Sequence, residues 1–145
     1  MELDIEWYKI IIESVILSII IFGAVFLEIW LYRKSEKIKE TNTRKRMSDL
    51  IRTDLRRKIR FINDSSEYKD YKPFFTDVWD AVVLSGKQTL FPFETIENLQ
   101  HCSSWMKYYN TEIQQKRQID NEKTLKEILD EVKKSIEHSL GILKE

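Results

Sequence analysis

IIIESVILSIIIFGAVFLEIWLY, residues 10–32, is an almost unbroken apolar run, and the first basic residue after it is Arg33. At about 1.5 Å per residue, a helix of this length reaches roughly 34 Å, enough to cross a hydrocarbon core of about 30 Å. Fifteen of these residues are Ile, Leu, Val or Phe. At about −0.3 to −0.6 kcal/mol each, they contribute roughly −4.5 to −9 kcal/mol to insertion. Glu13 and Glu28 oppose this, but both sit near the ends of the run, where a carboxylate costs less than at the bilayer centre. The balance favours a transmembrane helix over 10–32.

The flanks agree. Trp7 and Tyr8 precede the run, and Trp30 and Tyr32 close it, an aromatic belt at each interface. Before the run the only base is Lys9, among Glu2, Asp4 and Glu6; after it come Arg33, Lys34, Lys37, Lys39, Arg44, Lys45 and Arg46. The positive-inside rule therefore places the C-terminus in the cytoplasm and the short tail 1–9 outside the cell membrane. A cleaved signal peptide would need a basic n-region, a shorter apolar stretch and a small-residue cleavage site, so an uncleaved anchor is expected.

The zero net charge conceals a partition. Residues 1–32 carry five acids and one base, 33–60 carry twelve bases and four acids, and 61–145 carry eleven bases and fifteen acids. A positive block just below the cytoplasmic leaflet is attracted to anionic lipid by about 1 kcal/mol per basic residue. Arg33, Lys34, Arg44, Lys45, Arg46, Arg56 and Arg57 are the candidate lipid-facing bases, although the same charges also serve topology and solubility. Nucleic acid is not an expected partner for a patch tethered to a membrane. The lone cysteine, Cys102, has no partner for an internal disulfide, which fits a reducing compartment.

The rest of the chain reads as helices. Residues 33–46 are polar and extend the spanning helix as a stalk. Leu50, Ile51, Leu55, Ile59 and Ile62 then recur at helical spacing among basic residues, which makes 33–62 a basic juxtamembrane segment. Asn63-Asp64-Ser65-Ser66 suggests a break, so that 63–145 forms a cytoplasmic helical domain. Thr76 is placed to N-cap a helix over Asp77 to Leu84, with Gly86 as its stop. Pro92 suits the first turn of a helix running through Ile96, Leu99, Met106, Tyr109 and Ile113. A gap at Asp120-Asn121 suggests a turn. Leu125, Ile128, Leu129, Val132, Ile136, Leu140 and Leu143 then repeat at steps of three and four, a stripe too short to claim a coiled coil but suited to association. The expected class is all-α, with one membrane helix and three or four cytoplasmic ones.

Ten of the seventeen aromatic residues lie between Tyr68 and Tyr109. They fit either the core of a small hairpin or an exposed docking face for a partner, in which Phe74, Phe75, Trp79, Trp105 and Tyr109 would take part. Within this window Trp79, Asp80, Ala81, Ser85 and Gly86, then Leu90, Leu99 and Tyr108-Tyr109-Asn110, form a pattern. It resembles a set of uncharacterised prokaryotic, often archaeal, single-pass membrane-anchored small helical proteins over about residues 74–113. The tyrosine usual near position 105 is Trp105 here. The resemblance implies a small helical module below a membrane anchor, and no activity.

No catalytic or metal pattern stands out. His101 and His138 lie in different expected helices, and His101 and Cys102, as helix neighbours, point about 100° apart. Ser85-Gly86-Lys87-Gln88-Thr89 has too few glycines to cradle a phosphate. Asp77 and Asp80 share a helix face, but Asp77 suits the positive end of the helix. An enzyme, a cofactor and a small-molecule substrate are therefore not expected. In the membrane helix, Ser14, Ser18, Ile21, Val25, Glu28 and Tyr32 share one stripe, so Ser14, Ser18 and Glu28 are candidates for contact with another helix. Alternatively Glu28 snorkels and the serines bond their own backbone.

The expected function is that of a membrane-anchored accessory subunit or scaffold binding other proteins, or a second copy, through its cytoplasmic domain. The alternative is a membrane-surface regulator whose basic amphipathic helix senses anionic lipid.

Overall fold

A computed structural model describes residues 2–115 and 122–143, with side chains described from residue 6 onward. Every regular element among these residues is helical: α1 over Glu2–Tyr68, α2 over Asp77–Leu84, a 3-10 turn over Lys87–Leu90, α3 over Phe93–Gln115 and α4 over Glu122–Ile142. The chain divides into two compact units, 1–42 and 43–145.

The first unit is helix throughout its described length, and every described side chain from Glu6 to Asn42 is exposed. Among the described residues, α1 is the one helix long and apolar enough to cross a membrane. The isoleucines, phenylalanines and tryptophans of the first unit are not spent on the protein's own core: Ile19 is 66 % and Phe22 76 % exposed.

The second unit has its own core, formed by the end of α1 and by α2, α3 and α4. Along α1 the buried residues are Ile51, Leu55, Lys58, Ile62 and Ser65, at steps of four, three, four and three. That spacing keeps them on one face of the helix, turned to the core. Helix α4 answers with Leu129, Val132, Ile136, Ser139 and Leu143 at steps of three and four. Three contacts give the direction of pairing. The Arg52 guanidinium donates to the Leu143 carbonyl at 2.5 Å, Lys133 donates to Asn63 at 3.0 Å, and Lys69 pairs with Glu122 at 3.3 Å. Numbers rise on α1 as they fall on α4, so the two helices run antiparallel. Helices α3 and α4 also pack on each other, and the buried residues of α3 are Thr95, Leu99, Cys102, Ser103, Met106 and Tyr109.

Two expectations need correction. The break at Asn63-Asp64-Ser65-Ser66 is absent, because α1 continues to Tyr68. Ser65 is 3 % exposed and extends the α1 seam, while Asn63 accepts from Lys133, so tertiary partners hold a locally turn-prone segment in the helix. The helix stops at Lys69, whose φ of 54° is left-handed. The boundary expected between 62 and 63 falls instead between 42 and 43, while the stripe through Ile51, Leu55 and Ile62 packs into the core of the second unit, one of the two uses its spacing allows.

Other expectations hold. Helix α2 spans Asp77–Leu84, as Thr76 and Gly86 suggest, and Gly86 adopts the left-handed φ of 69° that favours glycine. The Thr76 hydroxyl, however, does not cap the helix; it donates to Asp80 Oδ2 at 3.0 Å. Pro92 sits immediately before α3, and its carbonyl accepts from the Ile96 N–H. The turn expected at Asp120-Asn121 lies outside the described residues.

Candidate functional site

The segment Lys72-Pro73-Phe74-Phe75 links α1 to α2 and decides the chemistry of this side of the domain. Phe74 turns inward and is 6 % exposed, whereas Phe75 turns outward and is 82 % exposed. The Phe74 ring lies 5.2 Å from Phe61 and 5.1 Å from Tyr109, in tilted, edge-type arrangements favoured by aromatic quadrupoles. Its backbone is held by Asn110 on α3. The amide of that side chain accepts from the Phe74 N–H at 2.7 Å and donates to the Phe74 carbonyl at 2.8 Å.

Beside this segment α1 presents Asp54, Arg57, Lys58 and Phe61, spaced i, i+3, i+4 and i+7 and so on one helix face. Together with the linker and with Asp77 and Val78 from the first turn of α2, they enclose a groove of about 500 Å³. Its floor and walls are the rings of Phe61, Phe74 and Phe75 with Pro73 and Val78. Lys58 is only 6 % exposed and pairs with Asp54 one turn earlier, so these two charges largely neutralise each other. Lys72 pairs with Asp70 at 2.5 Å on the surface. Arg57 is exposed and has no ion-pair partner among the described residues.

Around the other side of α2, Trp79 is buried and donates to Gln100 at 3.1 Å. Asp80 receives the Lys107 ammonium at 2.8 Å. That hydrogen bond, helped by the one from Thr76, holds the Asp80 carboxyl below the usual carboxylate range. These contacts tie α2 to α3 and fix the position of the groove's far wall.

The five aromatic residues expected on a docking face separate. Phe74, Trp79 and Tyr109 are core residues, at 6, 6 and 0 % exposure, and of the three Phe74 alone lines the groove. A small domain needs its largest rings inside, and these three provide them. Trp105 is half-buried; its indole N–H donates to His101 Nε2 at 3.2 Å, and it lies edge-on to Tyr108. Only Phe75 is both largely exposed and in the groove. Lys58 and Phe61 enter the groove with no sequence signal beyond their helical spacing with Asp54 and Arg57.

In the first unit Ser14, Ser18 and Glu28 are all exposed, and the Ser18 hydroxyl donates to the Ser14 carbonyl one turn back, at 2.8 Å. The seven bases considered for lipid are exposed as well, and the Lys34 ammonium lies 5.0 Å from the centre of the Trp30 ring, a cation–π contact. Cys102 is buried, which pushes its thiol up to about 11. Among the described residues no three His, Cys, Asp or Glu side chains converge in a way that could hold a metal ion.

No protein-family model, no curated protein and no solved structure matches the chain.

Proposed function

We propose that the protein is a single-pass, C-in membrane protein that serves as an accessory subunit or scaffold, binding other proteins through its second unit without chemistry of its own. The anchoring half of this reading draws on the full exposure of Glu6 to Asn42 in a chain whose core is built elsewhere. Side chains as apolar as Ile19 and Phe22 need a cover, and a bilayer is the cover that the length, the aromatic belts and the charge asymmetry fit.

The observation that carries the binding half is Phe75. A ring 82 % exposed, next to rings that the same domain buries, is a large apolar group held outward on a rigid support. Purification of a tagged chain from membranes in mild detergent, followed by native mass spectrometry, tests the reading. A stoichiometric second protein, or a defined multiple of this chain, is expected; a bare monomer would sink it. Protease protection of tags at the two ends of the chain tests the orientation.

The lipid-sensing alternative draws on the seven exposed bases. Raising the ionic strength separates the two readings, because attraction to anionic headgroups is screened and apolar docking is not.

A further inference from the structure

We propose that the groove between α1 and the Lys72–Phe75 linker takes an acidic, apolar segment of a partner protein, one large apolar side chain flanked by a carboxylate. This inference rests on the protein-binding reading above and names the partner chemistry that the reading leaves open.

The charge of the groove's wall selects the occupant. Its lining carries three bases, Arg57, Lys58 and Lys72, against two acids, Asp54 and Asp77. Inside the groove Asp54 is matched by Lys58, and Lys72 by Asp70. Asp77 remains, in the first turn of α2, where the helix dipole offsets a negative charge. The uncommitted group with the greatest power to discriminate is Arg57, whose planar fork suits a carboxylate in a two-point contact. The apolar part is set by Phe75, Val78 and Phe61. The volume of about 500 Å³ suits one or two large side chains rather than a docked domain.

The groove is also pre-formed. Phe74 is wedged between Phe61 and Tyr109 and clamped by Asn110, so a ligand meets a wall that does not have to be ordered first. A basic segment would meet the like charge of Arg57. A bilayer is too flat to fill a concave site of this size.

The test uses the full chain in nanodiscs of zwitterionic lipid, probed with a display library of random twelve-residue peptides. Enriched peptides should carry Asp or Glu beside Phe, Leu, Ile or Trp. Their affinity should fall tenfold or more on Arg57→Glu and on Phe75→Glu, and fall less on Arg57→Lys. Both positions are exposed, and an unchanged circular dichroism melt shows that the variants fold. No enrichment, enrichment without acidic residues, or indifference to both variants would overturn the proposal. A change of oligomeric state in Phe75→Glu would instead assign the groove to a second copy. Loss of flotation with phosphatidylserine vesicles in the same variants would assign it to lipid, and either result also overturns it. A partner recovered from membranes that still binds both variants would leave the accessory-subunit reading standing and remove the groove from it.

Discussion

The side chain of Asn110 and the backbone of Phe74 form a closed pair of hydrogen bonds, one accepted and one donated, across thirty-six residues of sequence. An asparagine amide has the shape of a peptide group, so it completes the backbone of the linker as a neighbouring strand would. Asn110→Ala leaves a part-buried N–H and a part-buried carbonyl without partners, at a cost of about 1–3 kcal/mol for such a loss. Urea unfolding followed by far-ultraviolet circular dichroism should show the midpoint falling with the slope unchanged.

The Asp54–Lys58 pair lies against the groove floor with side-chain exposures of 14 and 8 %. Removing one partner strands a charge out of water; removing both does not. Lys58→Met alone should destabilise by about 3 kcal/mol, and Asp54→Leu by a similar amount. The double variant should recover most of that loss. Two single losses that simply add would show that the pair is not coupled.

Asp80 supplies a pH dependence with a definite sign. Its carboxyl titrates lower in the folded chain than in the unfolded one, chiefly because Lys107 donates to it. The stability it contributes is therefore present above the ordinary carboxylate value and is lost as pH falls through the lower, folded-state value. The pair is solvent-exposed, so the contribution is about 0.5 kcal/mol. Thermal midpoints of the native chain and of Lys107→Met should differ at pH 7, and the gap should narrow as pH falls below the ordinary carboxylate value. A constant gap across that range would mean that Lys107 acts through packing alone.

Reading the sequence located some elements closely and others poorly, for identifiable reasons. Helix α2 was legible from Thr76 and Gly86, and α4 from its three- and four-residue steps, because these signals are local. The continuation of α1 through Asn63–Ser66 was not, since four turn-prone residues stay helical only with α4 alongside. The aromatic residues were legible as a window, but not which of them are buried and which exposed. Whether Phe74 or Phe75 turns inward depends on Asn110, which no local pattern connects to them. A buried Lys58 was equally hidden, because a lysine on a basic helix reads as solvated until its surroundings are known.

Cys102 is 1 % exposed, and burial lifts its thiol to about 11. The nucleophile is the thiolate, so the folded chain should resist alkylation. Iodoacetamide at pH 8 is expected to leave the native protein unmodified by mass spectrometry and to add one group once urea unfolds it. Rapid labelling without denaturant would place Cys102 outside the core.

The Tyr109 hydroxyl is buried, and no hydrogen-bond partner for it exists among the described residues. Burial also pushes its titration upward. A buried donor without a partner costs stability, so Tyr109→Phe should be neutral or stabilising by about 1 kcal/mol in urea unfolding. A loss of that size would show that the hydroxyl has a partner after all.

The outward turn of Phe75 beside the pinned Phe74 also bears on time. Rearrangement slows association, and a wall already held by α3 has little rearranging to do. Encounters at this face would be governed by diffusion and orientation, with rates on the order of 10⁵–10⁷ per molar per second. Differences between competing occupants would then appear in how long each one stays.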